Sequence, residues 1–259
     1  NNLDLDENIY VPTRMFPYSK KVASFIVDDE YRSYHDDAIT ILNKKGKIIL
    51  SKSVSEILIE NGQIHRIFSQ AGFKFDPIHL NDIQPVLKDG PYFKKGDLFL
   101  SFRNLSMVIL YRPEKKIIIK IIEGGFLHQH DVDILDDKTI SIYDNHILFN
   151  SKNESTVTNN RIVIYHFDTN TFSKKFEDAF KTLKINTKTN GLIDFLDDGS
   201  AIVEDQNNGR IFYLNNNGEV IWEFNNLDSK NQYYSIKWAR IINLEKAKKI
   251  RKIIKKKKD

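Results

Sequence analysis

Short apolar runs, each three to seven residues long, recur along the whole chain. Those at Asn8–Val11, Ala38–Leu42, Lys47–Leu50, Leu98–Phe102, Met107–Tyr111, Lys116–Ile122, Thr139–Tyr143, Arg161–Phe167, Ala201–Val203, Arg210–Leu214 and Glu219–Phe224 are rich in Ile, Val, Phe and Tyr. That composition predicts β-strands. Turn-forming residues separate them, as at Asn43-Lys-Lys-Gly46, Asp197-Asp-Gly199 and Asn215-Asn-Asn-Gly218. Helical periodicity is scarce and predicts only two short helices, Ser53–Glu60 and Lys174–Leu183. Many closely spaced strands leave a sandwich, a barrel or a propeller.

An internal repeat selects among these. His79-Leu-Asn-Asp-Ile83, His130-Asp-Val-Asp-Ile134 and Gly191-Leu-Ile-Asp-Phe195 share an Asp before an apolar residue, then a turn, then a strand. A weaker copy opens the chain at Asp4-Leu-Asp, followed by Asn8-Ile-Tyr-Val11. The later copies begin 51 residues (His79 to His130) and 61 residues (His130 to Gly191) apart. This spacing fits a four-stranded propeller blade with loops. The first interval, from Asn1 to His79, is longer and predicts an extra blade or an inserted helix. The fold expectation is therefore all-β: a β-propeller, six-bladed in the full protein, with this chain covering most of the blades. Residues 1–240 form the propeller domain in this reading, and 241–259 a basic tail or short helix. A ring of equivalent positions then holds Asn1, His79, His130 and Gly191, with Arg103, Asp144 and Asp205 at strand ends.

Composition narrows the function classes. The chain has 259 residues and 41% hydrophobic content, enough for a sizeable core. Net charge is +4, most of it in the last fifteen residues, so the body is near neutral and no nucleic-acid partner is expected. Cysteine is absent, which excludes disulfides, thiolate metal sites and a cysteine nucleophile. The run Leu244–Asp259 spaces Leu244, Ala247, Ile250, Ile253 and Ile254 between lysines. It reads as a solvated tail, or as a strip able to contact an anionic membrane surface.

Two histidines and an arginine around one channel suit an oxyanion. Arginine offers a planar fork of donors, and imidazole serves as nucleophile, acid or base near neutral pH. Histidines His79, His128 and His130 as metal ligands are the alternative. His35-Asp-Asp37 falls outside the repeat and is expected at a turn or blade edge. His65, His146 and His166 are expected to be peripheral, and Asp136-Asp137 and Asp197-Asp198 to be turn residues.

The motifs His79-Leu-Asn81, Ser101-Phe-Arg103-Asn104, Gln129-His130-Asp131 and Tyr143-Asp-Asn145, with Leu196-Asp-Asp-Gly199 and Gly218-Glu-Val-Ile-Trp222, resemble the arylsulfotransferase-like family of bacterial propellers. That resemblance implies transfer of a sulfuryl group from an aryl sulfate to a phenol acceptor, with no cofactor. It implies that His130 carries the sulfuryl group. His79 and Arg103 become oxyanion binders and proton donors, and Asn81, Asn104 and Asn145 substrate-binding groups. It also implies a periplasmic or otherwise exported location. One departure stands out: Asn1 occupies the register slot of another central histidine. A noncatalytic propeller that binds an anionic glycan or a protein partner is the rival expectation.

Overall fold

Four four-stranded antiparallel sheets follow one another along the chain, each a simple meander. The computed structural model describes residues 2–26, 34–69, 72–239, 241–242 and 244–256, so the Asn1 slot lies outside the described residues. Sheet one joins β1 (Asn2–Leu3), β2 (Ile9–Arg14), β3 (Asp37–Leu42) and β4 (Ile48–Ser53). Sheet two joins β5 (Leu80–Pro85), β6 (Leu98–Phe102), β7 (Met107–Arg112) and β8 (Ile117–Glu123). Sheet three runs β9 (His130–Ile134), β10 (Thr139–Asp144), β13 (Arg161–His166) and β14 (Thr171–Lys175). The hairpin β11 (Ile147–Phe149) with β12 (Ser155–Val157) is inserted between β10 and β13. Sheet four joins β15 (Leu192–Phe195), β16 (Ala201–Asp205), β17 (Arg210–Leu214) and β18 (Val220–Asn225). Four-stranded meanders of this kind are the blade unit of a propeller.

Strand alternation explains how the sheets stack. In β6, Leu98, Leu100 and Phe102 pack toward sheet one, while Phe99 packs toward sheet three. In β10, Ile140 and Ile142 join the core shared with sheet two, and Tyr143 joins the core shared with sheet four. Both faces of each middle strand are thus covered, which is why β6 and β10 read as nearly continuous apolar runs. Three cores link sheets one to two, two to three and three to four; among the described residues none links sheet four to sheet one.

The long first interval holds helices rather than another sheet among the described residues: α1 (Lys20–Ala23), α2 (Val54–Glu60) and α3 (His65–Phe68). Helix α2 starts where Ser53 caps it, its hydroxyl accepting from Glu56 N at 3.0 Å, and it buries Ile57 and Leu58. The second predicted helix is shorter than expected. Lys174 and Lys175 complete β14, Phe176 takes a left-handed φ of 59°, and α4 covers only Glu177–Thr182. Cross-strand pairing with β13 claims the lysines first. At the C-terminal end the predicted tail or short helix appears as α5 (Leu244–Lys256), with Ile250, Ile253 and Ile254 exposed. Among the described residues no helix is long and apolar enough to cross a membrane.

Asp144 and Asp205 do not join a central ring. Asp144 is fully buried and takes Arg161 through Nε at 2.9 Å and Nη2 at 2.5 Å. Asp205 holds Arg210 in the same way, at 3.0 and 2.5 Å. Each arginine opens the third strand of its sheet, directly across the ladder, so the pair staples the strand end.

Candidate functional site

The inner strands β5, β9 and β15 start at one end of the sheets, and the second strands β6, β10 and β16 finish at that same end. Residues just before the first set and just after the second therefore converge. The equivalent positions differ from those the spacing suggests. His79, His128 and Asn190 share a left-handed backbone, with φ of 56°, 52° and 70°. The bond from Asn104 N to Ile78 O recurs as His146 N to Leu127 O, both 3.0 Å. Asp82 accepts Val132 N at 3.0 Å, and Asp131 accepts Ile193 N at 2.9 Å, each reaching the next inner strand. His79 thus corresponds to His128, and His130 to Asn81. Both β5 and β9 carry a ladder irregularity near their start.

His130 is held in one tautomer. Its Nδ1 lies 2.6 Å from Asn145 Oδ1, an acceptor, so Nδ1 carries the proton. Its Nε2 accepts the backbone N–H of Asn190 at 3.2 Å. Burial, then the charges of Arg103 and His79, push the His130 pKa down to about 3, although the Asn145 bond opposes this. The imidazole is neutral at any ordinary pH. Asn145 is buried, and its Nδ2 donates to Thr187 O at 3.1 Å and Asn190 O at 2.8 Å. It supports His130 and the 187–190 loop rather than lining the cleft, which corrects its expected role as a substrate contact. Gly191 follows at φ 105°, where a Cβ would lie 2.3 Å from the Tyr143 ring, so only glycine lets this loop close on His130.

His79 is oriented from the other side. Its Nδ1 donates to Asp76 Oδ2 at 2.6 Å. The second oxygen of Asp76 faces His35 Nδ1 at 3.4 Å. His35, expected at a turn or blade edge, lies in the irregular segment just before β3. Arg103 donates through Nη1 to Asn104 Oδ1 at 2.9 Å, and Asn104 Nδ2 donates to Asp76 O at 2.8 Å. Burial weakens the hold of Arg103 on its proton, and the nearby Asp76 carboxylate restores part of it. His128 also joins this group. Burial and the Arg103 charge lower its pKa, and Phe149 of the inserted hairpin meets its ring edge-on at 5.3 Å.

A cleft of about 340 Å³ connects these groups. His79, Asn81 and His130 line it together, and Asn81 Nδ2 donates to Gln129 O at 2.7 Å. Arg103 and Asn104 are linked to this group through Asp76, and Arg103 is close enough for its charge to act on His130 and His128. Along the strands the lining turns acidic, with Asp82, Asp131, Asp133 and Asp194. Burial raises the pKa of Asp82 and Asp131, and for Asp131 the neighbouring Asp133 and Asp82 charges add to it. Trp238, 55% exposed, completes the wall. It arrives on a segment that returns from β18 over sheet four through Ile236 N to Gln206 O, 3.0 Å, and Ala239 N to Glu204 Oε1, 2.6 Å. Its place follows from that return path, for which the sequence carries no signal.

The other candidates are peripheral. His166 pairs with Ser173 across β13 and β14, and His146 with Thr158 beside the inserted hairpin. Asp136 and Asp198 accept backbone N–H groups within their own turns. Among the described residues no three His, Asp or Glu side chains are grouped to hold a metal ion.

Solved structures with related strand arrangements include virginiamycin B lyase from Staphylococcus aureus, at 14% identity and TM-score 0.39, covering 72% of this chain and 48% of that one. A catalytically inactive H270A form of the same enzyme with quinupristin gives 12% identity and TM-score 0.43, covering 86% and 53%. The chain spans about half the length of these structures. No curated protein matches it. The family model described as Arylsulfotransferase (ASST) matches residues 2–227, all of the four sheets, and the chain belongs to that family.

Proposed function

We propose that the cleft transfers a sulfuryl group from an aryl sulfate to a phenol acceptor through a sulfated His130. The observation that carries this reading is a neutral imidazole in one tautomer, set in a cleft with a second imidazole and with the Arg103 guanidinium close enough for its charge to act. A proton on Nδ1 leaves the lone pair on Nε2, and the long bond to Asn190 N is exchanged for the bond to sulfur. Charge building on the sulfuryl oxygens is met by the Arg103 guanidinium, and His79 serves the departing oxygen. A six-bladed ring in the full protein would need further sheets beyond these four. The same family reading carries an exported location. The exposed isoleucines of α5, beside Lys249, Arg251 and Lys252, suit contact with an anionic membrane surface.

Incubation with 4-nitrophenyl sulfate and phenol tests the activity through release of the coloured phenolate. Arg103→Lys keeps a charge but loses the planar fork, and the expected loss in kcat/KM is on the order of a hundredfold. Retention of full activity would remove Arg103 from the mechanism.

Trp238 gives the cleft an aromatic wall for the aryl ring. In a Trp222→Phe background, phenol or aryl sulfate is expected to quench the remaining tryptophan fluorescence, and inorganic sulfate to leave it unchanged. Trp238→Ala should raise KM by about tenfold, the upper range for an aromatic pair. Equal quenching by sulfate alone would contradict this placement.

A noncatalytic binding role is the second reading, and one observation favours it: both ring nitrogens of His130 have partners. Absence of turnover with every aryl sulfate donor would favour this second reading.

A further inference from the structure

We infer that Asp76 is the positioning residue of a His35–Asp76–His79 relay that makes His79 Nε2 the proton donor to the departing phenolate. The inference rests on the sulfuryl-transfer reading and deepens it.

The geometry distinguishes the two histidines of the cleft. Both nitrogens of His130 are engaged, by Asn145 Oδ1 and Asn190 N. His79 is bound at Nδ1 alone, by a 2.6 Å bond to a carboxylate, which accepts and never donates while ionised. The Nδ1 position therefore carries a proton, and any second proton sits on Nε2. The side chain of His79 is 41% exposed and lines the cleft. Nearby groups keep Asp76 ionised, because its bonds and charge interactions with His79 and His35 outweigh the cost of burying it. On the far side, Asp76 Oδ1 and His35 Nδ1 are both buried, face each other at 3.4 Å, and have no hydrogen-bond partner among the described residues. A proton on His35 Nδ1 satisfies both atoms at once. Arg103, on the same side, and Asp37, whose Oδ2 accepts Leu80 N at 2.7 Å, complete the charges around the carboxylate.

The chemistry balances. In the first step His130 Nε2 bonds to sulfur, the sulfur–oxygen ester bond breaks, and the phenolate takes the proton from His79 Nε2. In the second step the acceptor phenol returns a proton to His79 Nε2 as its oxygen takes the sulfuryl group from His130. Throughout, Asp76 holds the Nδ1 proton on His79 and stabilises the imidazolium, with His35 Nδ1 facing its second oxygen.

The test compares two donors that differ in their need for an acid. Phenyl sulfate leaves as a basic phenolate, whereas 4-nitrophenolate leaves readily without a proton. Asp76→Asn should lower transfer from phenyl sulfate by about a hundredfold, within the usual range for general acid catalysis, and from 4-nitrophenyl sulfate by only about threefold. Replacing His35 with Gln should give the same selectivity with a smaller loss. Equal losses on both donors in a folded variant would make Asp76 structural and overturn the inference. Nitrogen-15 NMR supplies a readout that needs no turnover: at a pH where His79 is neutral, its remaining proton should sit on Nδ1 in the wild type, and Asp76→Ala should shift the tautomer toward Nε2. An unchanged tautomer overturns the inference. Inactivity of the wild type on both donors sinks the sulfuryl-transfer reading instead, and the tautomer measurement still decides whether Asp76 sets His79.

Discussion

His130→Ala is expected to abolish transfer, with a loss of at least about 10⁴-fold, as for removal of other covalent nucleophiles. No other cleft residue combines a neutral imidazole, a fixed tautomer and a guanidinium close enough to act on it. The His130 pKa, pushed down to about 3 by burial and then by Arg103 and His79, sets the pH behaviour. A lowered imidazole pKa keeps the nucleophile unprotonated as the solution becomes acidic. His130 should therefore impose no loss of activity between neutral pH and about 4, although an unperturbed imidazole titrates near ~6.5. Single-turnover rates across that range, measured with 4-nitrophenyl sulfate, check this. A steep acid limb near the ordinary imidazole value, with this donor that needs no acid, would contradict the assignment.

Asp144→Ala is expected to produce the largest loss of stability. The carboxylate is fully buried and accepts from Arg161 Nε and Nη2, from Leu127 N at 2.9 Å and from His146 N at 2.8 Å. Its removal leaves a guanidinium without its counter-charge and two backbone donors without partners. Breaking one side of such a pair costs about 3–5 kcal/mol. For a chain of this size that lowers Tm by roughly 10 °C. The two released donors flank His128 and Asn145, so the support of His130 should loosen together with the fold. A thermal melt measures the first effect. A shift of less than about 2 °C, under 1 kcal/mol at this size, would mean that water or Arg161 rearrangement replaces the carboxylate.

The four meanders were legible because a middle strand covered on both faces leaves a continuous apolar signature. Leu98–Phe102 and Thr139–Asp144 show it plainly. The inner strands were visible only as repeated motifs, since His130-Asp-Val-Asp-Ile134 mixes apolar residues with carboxylates that reach the adjacent sheet. Counting along those motifs placed His79 opposite His130. The shared left-handed backbone and the recurring backbone bond pair His79 with His128 instead, a local conformation that counting does not reveal. His79, Arg103 and His130 were identifiable from their motifs. The partners that tune them were not. His35 meets Asp76 across 41 residues of sequence with no periodicity between them, and Trp238 depends on a return path fixed by Gln206 and Glu204. Contacts of this kind arise from the meeting of separate sheets, which local patterning does not encode.

The most direct measurement of the central claim is peptide mass spectrometry of wild-type protein mixed with 4-nitrophenyl sulfate, without acceptor, and quenched under alkaline conditions. One sulfuryl group on the peptide containing His130, discharged when phenol is added and missing from His130→Ala, is the predicted result. Turnover with no covalent sulfation, or sulfation on another residue that phenol discharges, would contradict it.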